Sequence, residues 1–128
     1  MTRVLLVEDS EDVLYLLGLQ LDWMGYIVET ATNAGAALEA ATKLRPDVIV
    51  SDLRMPGIDG FEFIRQVRRI QNLMSVPAIA LTGASMNADI QKAIASGFTA
   101  HLTKPVDAND LSKLIEQLTA RYAQRQAG

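Results

Sequence analysis

The groups able to do chemistry in this 128-residue chain are Glu8 and Asp9, Asp52, Thr82 and Lys104. Val4 to Val7 precede the acid pair, Val48 to Val50 precede Asp52, Pro77 to Leu81 precede Thr82, and Thr99 to Thr103 precede Lys104. Short apolar runs predict strands buried on both faces, so all five groups fall where strands stop. In open parallel sheets the carboxyl ends of the strands are where ligands bind. Three carboxylates gathered there would repel one another, and one would tend to hold its proton. A hard cation resolves this: Mg²⁺ takes one or two carboxylates together with phosphate oxygens and waters. Lys104 adds an ammonium able to neutralise phosphate oxygens, and Thr82 adds a hydroxyl donor. A carboxylate nucleophile at Asp52, a metal site, a lysine and a hydroxyl suit phosphoryl transfer, where positioning and charge neutralisation supply most of the catalysis. Capping and surface charge account for one or two of these residues, but not for the set at strand ends.

The intervening segments supply the scaffold. Ser10 to Met24 predicts a helix, with Ser10 as cap, Glu11 and Asp12 in the positive first turn, and Leu14, Leu17, Leu21 and Met24 facing the sheet. Gly25 ends it, and Tyr26 to Thr30 predicts a second strand. Asn33 caps a helix to Leu44, with Ala37, Leu38, Ala41 and Leu44 inward, broken by Pro46. Asp47 to Asp52 is the third strand, and Pro56, Gly57 and Gly60 mark an irregular loop after it. Asp59 starts a helix to about Ile70, with Phe61, Ile64 and Val67 inward. A fourth helix runs from about Met86 to Ser96 and stops at Gly97. A last one, capped by Asp107 or Asn109, runs to about Tyr122, with Leu111, Leu114, Ile115 and Leu118 inward. The expectation is a single domain over 1–122 with a frayed tail over 123–128. Five alternations of strand and helix predict a parallel sheet with helices on both faces, an α/β fold, joined by right-handed crossovers.

Composition narrows the classes. Cysteine is absent, which excludes disulfides and thiolate metal sites, and His101 is the one histidine, which excludes an all-imidazole site. A formal net charge of -3 argues against a nucleic-acid-binding surface. No apolar run approaches the roughly 20 residues needed to span a bilayer, and the N-terminus lacks a secretory layout. A cytoplasmic protein with no membrane partner is expected.

Val-Glu-Asp at residues 7–9, Ser-Asp-Leu-Arg-Met-Pro-Gly-Ile-Asp-Gly at 51–60, Leu-Thr-Gly at 81–83 and Thr-Lys-Pro at 103–105 occur in this order and spacing. Together they resemble the receiver domains of bacterial two-component response regulators, from Val4 to Leu118. The resemblance implies a flavodoxin-like doubly wound (βα)5 fold with sheet order 2-1-3-4-5; a chemotaxis regulator of this family is itself the standard example of that order. It implies that Asp52 takes a phosphoryl group from a phosphohistidine on a sensor histidine kinase or phosphotransfer protein. Glu8, Asp9, Asp52 and the backbone carbonyl of Arg54 would hold Mg²⁺. Lys104 would bind phosphoryl oxygens, Thr82 would carry the switch, the Lys104–Pro105 bond would be cis, and Gly83 would leave room for the phosphoryl group. Val13 and Leu16, beside the acid pair, would dock the phosphodonor helix. The resemblance also allows a phosphorylation-dependent homodimer. The runs around Lys104 are similar to those of hybrid-kinase receivers.

Two positions depart from, or tune, the family pattern. The switch position two before Thr103 is usually Tyr or Phe, and here is His101, smaller and titratable. Arg54 stands where the family tunes phosphoryl lifetime; a solvated loop arginine contributing only its carbonyl is the plainer expectation. Trp23 is assigned to packing, and Arg65, Arg68 and Arg69 to a solvated helix face with Glu62 paired to Arg65. The rival functions are an aspartate-nucleophile, Mg²⁺-dependent phosphatase of the haloacid dehalogenase type, a flavodoxin-like flavin binder, and a receiver fold kept only for docking. The first would place its nucleophile after the first strand with an acid two residues on, where this chain has Arg54 after Asp52. The second needs phosphate-binding amides after the first strand, where this chain has Glu-Asp-Ser-Glu-Asp. The intact acid set argues against the third.

Overall fold

Side-chain alternation along the strands builds two cores, one on each face of a single sheet. The computed structural model describes residues 1–83 and 87–127; the expected helix start at Met86 and the terminal Gly128 lie outside them. The described residues form β1 (Arg3–Val7), α1 (Glu11–Trp23), β2 (Ile27–Ala31), α2 (Ala34–Leu44), β3 (Val48–Asp52), α3 (Gly60–Val67), β4 (Ala78–Thr82), α4 (Asn87–Ser96), β5 (Ala100–Thr103) and α5 (Ala108–Ala127). All neighbouring strands pair in parallel, in the order β2-β1-β3-β4-β5. This is the flavodoxin-like order expected of the chain.

Successive strand residues point to opposite faces. Val4, Leu6, Val48, Val50, Ile79 and Leu81 therefore meet Leu14, Leu17 and Leu21 of α1 and Leu111, Ile115 and Leu118 of α5. Leu5, Val7, Ile49, Ala78 and Ala80 meet α2, α3 and α4 on the other side. There the buried residues of α2 are alanines, Ala34, Ala37 and Ala41, with Leu38 packed against them partly buried, while α3 contributes the bulkier Phe61, Phe63, Ile64 and Val67. Each large apolar side chain so buried contributes about 1.5–3 kcal/mol. Every residue of β3 and β4 and all of β1 but Arg3 is buried, whereas only Ala31 of the edge strand β2 is.

Several local expectations need correction. Met24 and Leu44 are 40% and 39% exposed, because each stands where its helix ends and the chain turns away from the sheet. Trp23 is 85% exposed and packs into no core. Phe63 is fully buried, although it was not placed on the inward stripe. Ser10 is the N-cap of α1, but its side chain makes no cap hydrogen bond; Asn33 and Asp59 do cap, accepting from the amides of Ala36 and Glu62. Asp107 rather than Asn109 caps α5, accepting from the amides of Asn109 and Asp110. That helix continues to Ala127 instead of ending near Tyr122. Arg68 is not solvated: it donates to the carbonyls of Gly97 and Leu73, tying α3 to the end of α4. Gly97, at φ 132, stops α4. Arg65 does pair with Glu62, at 3.3 Å.

Candidate functional site

β1, β3 and β4 stop at one rim, and β5 hands the chain to Lys104 beside them. Glu8 and Asp52 lie 2% and 4% exposed at the ends of β1 and β3. Lys104 Nζ donates to Asp52 Oδ2 at 2.8 Å and to Glu8 Oε2 at 3.2 Å. The Lys104 amide donates to the Thr82 carbonyl at 2.7 Å, which fixes the start of this loop on β4. The peptide bond that follows, Lys104–Pro105, is cis. Asp9, exposed, completes a cluster in which one carboxylate oxygen each from Glu8, Asp9 and Asp52 lie within 4.8 Å of one another.

The charges in this cluster are unbalanced. Burial first, and then the neighbouring Asp52 carboxylate, push the Glu8 carboxyl above its usual range, and Lys104 pulls it back only in part. Burial works to lower the Lys104 ammonium, but the hydrogen bonds and charges of Asp52 and Glu8 outweigh it and hold it raised. Two buried carboxylates and an exposed third around one ammonium leave net negative charge among oxygen donors. That donor set fits a hard divalent cation, which takes carboxylates and waters at short range. A group whose folded-state carboxyl titrates above its unfolded value binds the extra proton in the folded state. Stability of metal-free protein should therefore fall as pH rises from the ordinary glutamate value of 4.5 until Glu8 has ionised. Thermal unfolding in chelator across that range checks this: the expected Tm declines with pH, and added Mg²⁺ flattens the decline.

The loop after β3 is held tightly. The Gly60 amide donates to the Leu53 carbonyl at 2.9 Å, closing the Pro56–Gly57 loop over the end of the strand. A Cβ built on Gly60 would collide with the Asp52 carbonyl oxygen and sit 2.8 Å from Leu53 Cα. Gly60 therefore lets α3 start directly against the backbone of Asp52, a role hidden in the sequence, where it marked only a loop. By contrast, a Cβ on Gly83 would meet nothing within 4 Å.

The remaining residues stand around this centre. Thr82 is buried one position past Leu81, the β4 partner of Asp52, and its hydroxyl donates to the Leu102 carbonyl at 3.4 Å. His101 is half-buried on β5. The Arg54 amide approaches Asp52 Oδ1 at 3.4 Å, but its guanidinium is engaged by Asp89 of α4. Val13 and Leu16, 45% and 58% exposed, line a cavity of about 480 Å³ with Leu17, Leu81, Lys104 and Pro105, adjoining the acid cluster. No helix among the described residues is long and apolar enough to cross a membrane.

Residues 4–116 match the family described as "Response regulator receiver domain". An uncharacterized 14.6 kDa protein of the sodA1 3′ region in Leptolyngbya boryana is 43% identical over 114 residues, 89% of this chain and 87% of its own length. The chemotaxis protein CheY4 of Vibrio cholerae superposes with a TM-score of 0.89 at 36% identity, over 92% of this chain and 98% of that one. The receiver domain of a sensor histidine kinase from Pseudomonas aeruginosa, solved with a magnesium ion coordinated in its active-site cleft, superposes with a TM-score of 0.86 at 28% identity, over 93% of this chain and 98% of that one.

Proposed function

The chain belongs to the response regulator receiver-domain family, a family of phosphoacceptor signalling domains, and from this we propose that Asp52 is the acceptor. The phosphoryl donor is a phosphohistidine on a sensor kinase or phosphotransfer protein. The observation that carries the reading is the Lys104 ammonium bridging the Glu8 and Asp52 carboxylates at 3.2 and 2.8 Å.

An Asp52 carboxylate oxygen attacks phosphorus, the new P–O bond forms, and the P–N bond to the donor imidazole breaks. The transition state spreads charge over the equatorial oxygens, so the chain's task is positioning and neutralisation. Lys104 turns from its carboxylate partners toward those oxygens. Glu8, Asp9, Asp52 and the Arg54 carbonyl would hold Mg²⁺, which supplies charge neutralisation at the nucleophile and the phosphoryl oxygens. The phosphorylated carboxylate carries charge near -2. The Thr82 hydroxyl, now given to Leu102, is the donor placed to answer it, and His101, next to Leu102 on β5, follows as the switch residue. Val13 and Leu16 form the docking surface: exposed, apolar and continuous with a cavity that reaches Lys104.

Incubation with Mg²⁺ and acetyl phosphate, followed by intact mass, tests the assignment. Wild-type protein should gain one phosphoryl group and Asp52→Ala none. Continuous turnover of phosphate esters without a stable stoichiometric adduct would favour the phosphatase reading instead.

A further inference from the structure

The guanidinium of Arg54 is paired with Asp89 of α4, while the Arg54 backbone amide faces the Asp52 carboxylate. Its Nη2 donates to both carboxylate oxygens of Asp89, at 3.0 and 2.9 Å, in the first turn of α4. Its central carbon lies 5.9 Å from the centroid of the buried Phe61 ring, which Lys92, also on α4, approaches at 4.3 Å. Arg54 is thus fastened at two ends, its amide toward Asp52 and its side chain to α4. We infer that Asp89 is a positioning residue that holds Arg54 off the phosphorylation site, and that a phosphoryl group on Asp52 competes with it for the guanidinium.

The competition is one that the phosphoryl group can win. The Asp89 partner is one charge in a pair whose arginine is 70% exposed, and such pairs are weak and screened by salt. The phosphoryl group offers charge near -2 and three acceptor oxygens, which a guanidinium matches in fork geometry. Transfer of Arg54 releases the first turn of α4 from the loop after β3. It also puts a cation across the path of water. In hydrolysis, water attacks phosphorus, the bond from phosphorus to the Asp52 oxygen breaks, and the water proton leaves with inorganic phosphate. An arginine seated on the phosphoryl oxygens hinders that approach. Asp89, by drawing Arg54 away, shortens the lifetime of the phosphorylated state.

This inference rests on Asp52 being the acceptor, and the test separates the two. Phosphorylated protein is freed of donor, and loss of the phosphoryl group is followed by intact mass in four chains: wild type, Asp89→Asn, Arg54→Gln and the double variant. Asp89→Asn should slow dephosphorylation roughly two- to five-fold, the range set by an exposed ion pair. In the Arg54→Gln background the same substitution should change nothing. Asp89→Glu, which keeps the charge, should restore wild-type decay, and added salt should narrow the gap between wild type and Asp89→Asn. An equal effect of Asp89→Asn in both backgrounds, or none in either, overturns the role of Asp89 while leaving the acceptor in place. A wild-type chain that never gains the phosphoryl mass overturns both.

Discussion

Gly60→Ala should lower Tm by roughly 10 °C, the shift that corresponds to about 2–3 kcal/mol in a domain of this size. The added methyl has no room: its neighbours are the carbonyl of Asp52 and the Cα of Leu53, and neither is the free end of a side chain. Either α3 withdraws from the end of β3 or the backbone around the acceptor moves. In the second case the Gly60–Leu53 hydrogen bond lengthens, and Asp52 shifts relative to Lys104 and Glu8. Misplacement of a reacting group by about 1 Å costs on the order of 10²-fold in rate, so phosphorylation by acetyl phosphate should slow by about that factor. Gly83→Ala is the matched control for stability alone. Its methyl would enter open space, and its stability should stay within about 0.5 kcal/mol of wild type. Thermal unfolding and the phosphorylation time course read both effects. A Gly60→Ala protein with wild-type Tm would show that the loop yields freely and that the close approach has no energetic weight.

Lys104→Met should slow phosphorylation by about 10²- to 10³-fold, the usual cost of removing one charge-stabilising donor from a transition state. Methionine keeps much of the stem that lines the cavity beside Leu81 and Pro105, so packing there is largely preserved. What disappears is the cation between Glu8 and Asp52. The two carboxylates are then left facing each other at the rim, and Glu8 is driven still further toward its protonated form, since Lys104 was what held it down. Rates measured from intact mass at saturating Mg²⁺ separate loss of the ammonium from loss of metal affinity. A variant within about two-fold of wild type would remove Lys104 from the chemistry.

What the sequence disclosed, and what it hid, follows from the range of each interaction. Asp52 and Glu8 were recognisable because each closes an apolar run, and burial on both sides leaves a strand little else to be. Leu14, Leu17 and Leu21 were placed correctly because helical periodicity is local. Met24 and Leu44 share that period yet face solvent, since a stripe says nothing about where the sheet beneath it ends. Trp23, expected only to pack, also faces solvent. Arg68 gave no sign that its guanidinium would be spent on Gly97 and Leu73, and nothing around Arg54 pointed to Asp89, 35 positions away. Gly60 was visible as a glycine after a loop, but its necessity lies in how close α3 comes to β3, a distance that no local sequence signal carries. The residues that meet across the sheet rim were inferred from their strand ends; the loop and helix-end contacts of Arg54 and Arg68 were not.

Lys104 reaches Glu8 across 96 positions of chain and Asp52 across 52. During synthesis the acids of β1 and β3 are therefore made long before the cation they surround. β5, the last strand made, lies at the sheet's outer edge beyond β4. A chain that stops short of β5 has the acidic groups but lacks the cation they surround, so the site is complete only once the last strand has docked beside β4. Closure of the charge cluster thus coincides with closure of the sheet, because the residue that balances the acids follows the edge strand.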